Sequence, residues 1–152
     1  MKTVTLLLVL CPMLSFGMDR LAALSMIETG NNDRMVGRAG EISRYQILKR
    51  EWRSVTSSTR YTDPETAKAV TLKLLDRRVQ EFQTAYNRPP TNFEFYALWN
   101  APAQVLEGRV SRTVAERCRR YANLCDWKGK AVPAVAKADN SAPVLLCQYQ
   151  AR

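Results

Sequence analysis

Residues 19–30, DRLAALSMIETG, decide how the chain begins to fold. Asp19 is a residue type that caps helix N-termini, because its side-chain oxygen accepts hydrogen bonds from the first free backbone N–H groups. Apolar side chains then recur at three-residue steps, as on one face of a helix, at Leu21, Leu24 and Ile27. Gly30 follows, and glycine readily takes the left-handed conformation in which many helices end. The stretch predicts an amphipathic helix that carries Glu28 in its last turn.

Three longer helices are predicted further along the chain. Thr62 and Glu65 have capping-box spacing ahead of a long stretch with helical periodicity, and Thr91 and Glu94 repeat that spacing ahead of the next one. Ser111 is a suitable cap for the last of the three. These signals predict that the middle and the end of the domain are helical.

The remaining segments carry no signal of a sheet. Residues 48–55 predict a short amphipathic helix, and residues 56–62 a connector. Asparagine, aspartate and glycine interrupt the pattern between residues 31 and 46, which predicts a loop with at most a tiny hairpin near residues 34–47. No strand-like alternation is long enough to build a sheet. We therefore expect an all-α class, a compact helical domain around a substrate groove.

Composition narrows the chemistry. The 152 residues, 46% of them hydrophobic, are enough for one globular domain with a core. The formal charge of +9 points to an anionic partner. The chain has no histidine, which excludes Ser-His-Asp and Cys-His catalysis and zinc sites that need a histidine ligand. Acid–base chemistry would then rest on carboxylates, tyrosines, lysines or cysteines.

The N-terminus resembles an export signal. Residues 1–17 combine a positive charge at Lys2, a stretch of leucine and valine, and small residues at the −3 and −1 positions of a cleavage site. The apolar stretch at 4–16 is shorter than the roughly 20 residues of a membrane-spanning helix. We expect an exported protein, periplasmic or extracellular, with a domain at 18–127 and a C-terminal tail at 128–152. Loss of Lys2 leaves a charge of +8.

Three cysteines remain in the exported chain. Cys118 and Cys125 are seven residues apart, about 10.5 Å along a helix, which is too far for a direct bridge. A disulfide would therefore join Cys147 to Cys118 or to Cys125 and pin the tail. The alternative is that Cys118 and Cys125 are small apolar core residues.

Glu28 is the leading catalytic candidate. The negative end of the helix dipole disfavours a carboxylate in the last turn, and Leu24 and Ile27 are apolar neighbours. Both effects raise the pKa of a carboxyl group, as a general acid requires. The alternative for Glu28 is an ordinary surface glutamate of a helix.

The residues around Glu28 resemble a known family. Residues 23–32, ALSMIETGNN, are similar to the catalytic motif of bacterial lytic transglycosylases and goose-type lysozymes. Residues 37–47, GRAGEISRYQI, align without a gap with the family's Ser-x-Ala-Gly-Ala-x-Gly-Leu-Met-Gln-Ile motif, and residues 98–102, LWNAP, look like its Ala-Tyr-Asn-Ala-Gly motif. The helix that begins near Asp63 and the arginine-rich residues 117–124 are similar as well. The resemblance covers roughly residues 20–125 and implies a lysozyme-like fold.

The resemblance also implies a reaction. Its members cleave the β-1,4 bond between N-acetylmuramic acid and N-acetylglucosamine in peptidoglycan, and Glu28 would protonate the glycosidic oxygen. In a transglycosylase the same carboxylate assists attack by the sugar's own 6-hydroxyl. A hydrolase needs a second carboxylate, for which Glu41 is the candidate. The alternatives for Glu41 are a solvated loop residue or a partner for Arg38 or Arg44.

Substrate-binding roles follow from the same alignment. Gln46 would hydrogen-bond the glycan, and Asn100 would contact a sugar or hold the active-site loop. Trp99 stands in place of a tyrosine and would stack on a sugar or pack in the core. Tyr45 aligns with a methionine that lines the groove and would contact substrate. Ser43 and Pro102 replace family glycines, which puts the detailed shape of the groove in doubt.

Two functions from different classes remain. The first is an exported enzyme that acts on peptidoglycan glycan strands as a monomer, without cofactor, metal or nucleic acid, and meets the membrane only through its signal peptide during export. The second is a catalytically silent lysozyme-like domain that binds cell-wall glycan or acts as an inhibitor. The departures at Ser43, Trp99 and Pro102 favour the second.

Overall fold

The protein is described by a computed structural model that covers residues 17–127. Within these residues the chain forms six helices. In chain order they are α1 (Arg20–Thr29), α2 (Lys49–Val55), α3 (Pro64–Tyr86), α4 (Asn92–Asn100), α5 (Pro102–Leu106) and α6 (Arg112–Asp126). The all-α class predicted from the sequence is confirmed.

Helix α1 has the ends that its sequence predicts. The side chain of Asp19 accepts hydrogen bonds from the backbone N–H groups of Leu21 and Ala22. Gly30 adopts a left-handed conformation, φ 63°, and its N–H donates to the carbonyl of Met26. Glu28 therefore lies in the last turn of α1.

The start of α3 corrects one prediction. Thr62 and Glu65 do not form a capping box. Asp63 is the N-cap instead, its carboxylate accepts from the backbone N–H of Thr66, and Pro64 occupies the first helical position. Aspartate followed by proline is a sufficient start signal, since proline has no N–H that would need a partner there.

The two later helix starts agree with the sequence. Thr91 and Glu94 form a complete capping box, each side chain bonding the other residue's backbone N–H. Ser111 caps α6 through a hydrogen bond from the N–H of Val114. Both caps are local, which is why their spacing alone identifies them.

Helix α4 is the centre of the domain. Its residues 95–99 are all buried, and it contacts α3, α5 and α6. The largest fully buried side chains of the core include Tyr96 and Leu98 of α4, together with Trp52, Phe82, Leu24, Leu74 and Tyr121. Burying each large apolar side chain contributes about 1.5–3 kcal/mol. Within this core Tyr96 of α4 donates a hydrogen bond to Glu28 in the last turn of α1.

The loop between α1 and α2 contains the predicted hairpin in minimal form. Ile42 and Ile47 make one isolated antiparallel bridge, with both backbone hydrogen bonds at 2.8–2.9 Å, and both side chains are buried. Between them Ser43 and Gln46 adopt positive φ angles of 65° and 53°. Ser43 therefore takes the backbone conformation that the glycine of the aligned motif would adopt more easily.

The predictions about the two ends of the chain are not tested by the described residues. The signal peptide at 1–17 lies outside them except for Gly17, and the tail at 128–152 and Cys147 lie outside entirely. Cys118 is buried in the core and Cys125 is partly buried, and they are not bonded to each other. No helix within residues 17–127 is long and apolar enough to cross a membrane.

Candidate functional site

A groove of about 490 Å³ opens beside the end of α1. It runs between the loop at residues 37–48, the first turn of α2, the junction of α4 and α5, and α6. Five of the six predicted catalytic and substrate-binding residues line it: Glu28, Glu41, Gln46, Trp99 and Asn100. The sixth, Tyr45, does not.

Glu28 is almost completely enclosed. Its side chain is 5% exposed. The hydroxyl of Tyr96 donates to Oε1 at 2.7 Å, and the guanidinium of Arg117 donates to Oε2 at 3.0 Å. Tyr96 is fully buried, whereas Arg117 is 38% exposed and lines the groove. The carboxylate is therefore held between the protein interior and the groove, with one donor on each oxygen.

The pKa of Glu28 is raised above its ordinary value. Burial is the main cause, because it removes water from the charged form, and the negative charge of Glu41 acts in the same direction. The hydrogen bond from Tyr96 and the charge of Arg117 oppose the rise. The sequence predicted this direction from the helix end and from apolar neighbours, and burial is the leading cause. A carboxyl group with a raised pKa can hold a proton and donate it.

Sequence reasoning missed the two partners of Glu28. Tyr96 is 68 residues away along the chain and Arg117 is 89 residues away. The sequence pattern gives Tyr96 no role beyond its helix and places Arg117 only in the arginine-rich stretch at 117–124. A buried carboxylate needs donors, so the need for partners was foreseeable, but the sequence does not identify which residues supply them.

Glu41 and Gln46 meet across Gly37. The carboxylate of Glu41 accepts from the N–H of Ala39 at 2.8 Å, and the amide of Gln46 donates to the carbonyl of Ser43 at 3.2 Å. A Cβ atom on Gly37 would collide with the oxygen atoms of both side chains. Gly37 is therefore needed for Glu41 and Gln46 to lie together at the groove.

The alternative partners proposed for Glu41 are not used. Arg44 instead forms a bidentate ion pair with Asp33, at 2.6 and 2.8 Å. That pair lowers the pKa of Asp33. Within the described residues Glu41 makes no ion pair with Arg38 either, and its carboxylate is left at the groove beside Glu28.

Trp99 lines the groove and also packs in the core. It is 8% exposed, and its indole N–H donates to the carbonyl of Tyr45 at 3.2 Å. The guanidinium of Arg78 lies over the indole ring, 5.2 Å from its centroid. Arg78 covers one part of Trp99, so the area left for a sugar is small.

Arg78 joins three helices beneath the groove. It donates to the carbonyls of Leu98 and Trp99, the second at 2.9 Å, and forms an ion pair with Glu51 of α2. Its own side chain is 10% exposed. The carbonyls at the end of α4 have no helical partner of their own, and Arg78 supplies one. This contact holds the turn that presents Asn100, which is exposed at the groove.

The position of Tyr45 corrects a prediction. Its side chain is 4% exposed and lines a separate cavity with residues of α1 and α3, including Ser25 and Glu65. The reason is the tight turn at residues 43–46, closed by the Ile42–Ile47 bridge, which directs Tyr45 into the core while Gln46 lines the groove. Tyr45 therefore contributes to the site only through its backbone carbonyl, which accepts the hydrogen bond from the indole of Trp99.

Cations outnumber anions along the groove. Arg38 and Arg50 line it and have no carboxylate within 4.0 Å among the described residues. No group of three or more cysteine, aspartate or glutamate side chains in residues 17–127 is arranged to hold a metal ion. The arrangement offers one enclosed carboxyl group, a second carboxylate and amide side chains, which are groups that can take part in acid–base chemistry.

Comparison with protein-family models, with curated proteins and with solved structures gave no match to this chain.

Proposed function

We propose that this chain is an exported glycosidase that cleaves peptidoglycan at the β-1,4 bond between N-acetylmuramic acid and N-acetylglucosamine. The observation that carries the proposal is the enclosure of Glu28, with its side chain 5% exposed, at a groove that also contains Gln46 and Asn100. These are the three positions that the family resemblance assigns to the acid and to the glycan contacts.

The proposed reaction begins with proton transfer. Glu28 gives its proton to the glycosidic oxygen, the bond to C1 of N-acetylmuramic acid breaks, and N-acetylglucosamine leaves with a new hydroxyl. The ionised Glu28 then takes a proton from the nucleophile that attacks C1. If the nucleophile is the 6-hydroxyl of the same sugar, the product is a 1,6-anhydro end. If it is water, the product is a reducing end, and Glu41 is the carboxylate available to position that water.

The charge of the protein supports the choice of substrate. Cell-wall glycans and their attached polymers are anionic, and a chain with a charge of +8 after loss of the signal peptide is attracted to them. Arg38 and Arg50 place part of this charge at the groove itself. Export through residues 1–17 would bring the enzyme to the wall.

Loss of turbidity of purified cell walls tests the proposal. We expect E28Q to lose about 10²–10⁴-fold in rate, because a general acid contributes that much. The matched control is E81Q, which changes an exposed glutamate of α3 outside the groove and should keep the wild-type rate. Equal lysis by E28Q and the wild type would refute the role of Glu28. Mass spectrometry of the fragments separates 1,6-anhydro from reducing ends.

A silent glycan-binding domain is the alternative. Trp99 in place of a tyrosine, and Arg117 paired to Glu28, favour it, because a permanently paired carboxylate would stay ionised. This alternative predicts that the wild type binds walls without lysing them, and that E28Q binds them equally well. Pelleting of the protein with purified walls, measured beside turbidity, distinguishes the two functions.

A further inference from the structure

The two oxygens of Glu28 face different environments. Oε1 accepts from Tyr96, whose side chain is fully buried, so this oxygen points to the interior. Oε2 accepts from Arg117, which lines the groove. A proton delivered to a glycan in the groove must therefore come from Oε2. That oxygen is the one that the guanidinium of Arg117 covers.

A guanidinium cannot share this position with the proton. Arginine only donates hydrogen bonds, and it keeps its charge at any pH at which a protein is folded. A protonated Oε2 would direct its O–H toward the N–H groups of Arg117, which have no lone pair to accept it. The pair seen in the free protein is therefore compatible with an ionised Glu28 and incompatible with proton donation from Oε2 toward the groove.

Arg117 is able to move. Its side chain is 38% exposed, and the guanidinium also lies over the ring of Tyr96, 5.8 Å from the centroid. The side chain is long, and within residues 17–127 its only carboxylate partner is Glu28. A sugar entering the groove would meet the guanidinium before it meets Glu28. Departure of Arg117 would leave a charge on a side chain that is 5% exposed, which is costly, so its departure must be coupled to proton uptake by Glu28 and to the binding of the glycan.

We propose that Arg117 is a displaceable counter-ion, which holds Glu28 ionised in the free protein and leaves Oε2 when glycan occupies the groove. The inference rests on the proposed function. Arg117 is here a positioning residue, since it acts through Glu28. Once it leaves, the enclosed carboxylate loses its cation and takes up a proton from solvent at Oε2, which it then gives to the glycosidic oxygen.

The other groups that face Glu28 do not substitute for Arg117. Tyr96 of α4 bonds the opposite oxygen, and Glu41 of the loop carries a negative charge that favours the protonated form. The remaining charged groups of the groove are Arg38, Arg50 and the Arg78–Glu51 pair. Arg117 is therefore the cation whose removal should change the ionisation of Glu28 most.

The test compares R117M and R117K with the wild type. R119M, an exposed neighbour on α6 that does not line the groove, is the control. The pKa of Glu28 in the free protein is read from its carboxyl carbon resonance, identified by its loss in E28Q. Rates are measured against pH on soluble, uncrosslinked glycan strands, because kcat/KM reports the ionisation of the free enzyme and kcat that of the complex.

We expect Glu28 to titrate at higher pH in R117M than in the wild type. The alkaline limb of kcat/KM should shift to higher pH together with the pKa of Glu28. On that limb kcat/KM of R117M should therefore exceed that of the wild type by about two- to fivefold. The alkaline limb of kcat should be the same in both proteins. R117K, which keeps a cation, and R119M should follow the wild type.

Two results would overturn the inference. If the alkaline limb of kcat moves together with that of kcat/KM, Arg117 stays on Glu28 in the complex. If R117M loses activity at every pH while the alkaline limbs of kcat and kcat/KM stay unchanged, Arg117 contributes only to substrate binding or to the fold. Either result with an inactive E28Q leaves the proposed function intact, whereas full activity of E28Q overturns both.

Discussion

Replacement of Tyr96 by phenylalanine isolates one hydrogen bond of the site. The hydroxyl of Tyr96 lies 2.7 Å from Oε1 of Glu28, and the ring is fully buried against Tyr121, with 5.2 Å between the centroids. Phenylalanine keeps the ring and its packing and removes only the hydroxyl. The carboxylate retains Arg117 on its other oxygen.

The cost of this change follows from the charge of the acceptor. A hydrogen bond to a charged group contributes about 1.5–3 kcal/mol, and Arg117 still satisfies Glu28 in part. We therefore expect Y96F to lower the free energy of unfolding by about 1.5–2 kcal/mol when Glu28 is ionised. When Glu28 is protonated, the cost should be smaller, because the bond to a neutral carboxyl group is weaker.

The pH dependence has a definite sign. Burial raises the pKa of Glu28 in the folded state, and the bond from Tyr96 lowers it, so Y96F raises it further. In the window above the unfolded value of 4.5, folded Y96F then holds more protons than the folded wild type. Stability falls with pH wherever the folded state holds more protons than the unfolded state, so Y96F loses additional stability as pH rises through this window.

Urea unfolding at pH 4 and pH 8, followed by circular dichroism, measures the difference. The control is Y121F, which removes a buried hydroxyl that donates to the carbonyl of Arg20 at 3.0 Å. No carboxylate of residues 17–127 bonds that hydroxyl, so the cost of Y121F should be the same at both pH values. An equal cost of Y96F at pH 4 and pH 8 would refute the bond to an ionised Glu28.

Two further substitutions test the groove. R78M should lower the free energy of unfolding by about 2–3 kcal/mol, which is below the full cost of breaking a buried ion pair because Glu51 is 27% exposed. The control R77M, on the same helix, should change it by less than about 0.5 kcal/mol. Equal effects of the two substitutions would show that the contacts of Arg78 do not contribute to stability. G37A should reduce wall lysis about tenfold with little change in melting temperature, because its Cβ displaces the flexible ends of Glu41 and Gln46. Wild-type lysis by G37A would show that neither side chain needs its present position.

Local hydrogen bonds explain why most helix ends were predictable. Asp19, Thr91 and Ser111 each bond backbone groups two or three residues ahead, so the signal lies within one turn of chain. The error at Thr62 has the same origin. Two cap residues stand side by side there, and the fixed backbone angle of Pro64 selects Asp63 as the N-cap.

The site was predictable where a motif holds its residues close together. Gln46 and Glu41 share one short loop, and Glu28 lies at a helix end that the sequence defines. Tyr45 was misplaced because it lies in the tight turn between Ile42 and Ile47, where the positive φ angles of Ser43 and Gln46 set the side-chain directions, and no local sequence signal gives those angles.

The helices, the place of Glu28 at the end of the first one and the absence of histidine chemistry can all be read from the sequence. The surroundings of Glu28 follow from the folded chain. Tyr96 and Arg117 reach it across 68 and 89 residues of chain, through the packing of α1, α4 and α6. Such contacts depend on how whole helices pack, which no local pattern encodes, and they determine how readily the carboxyl group holds its proton.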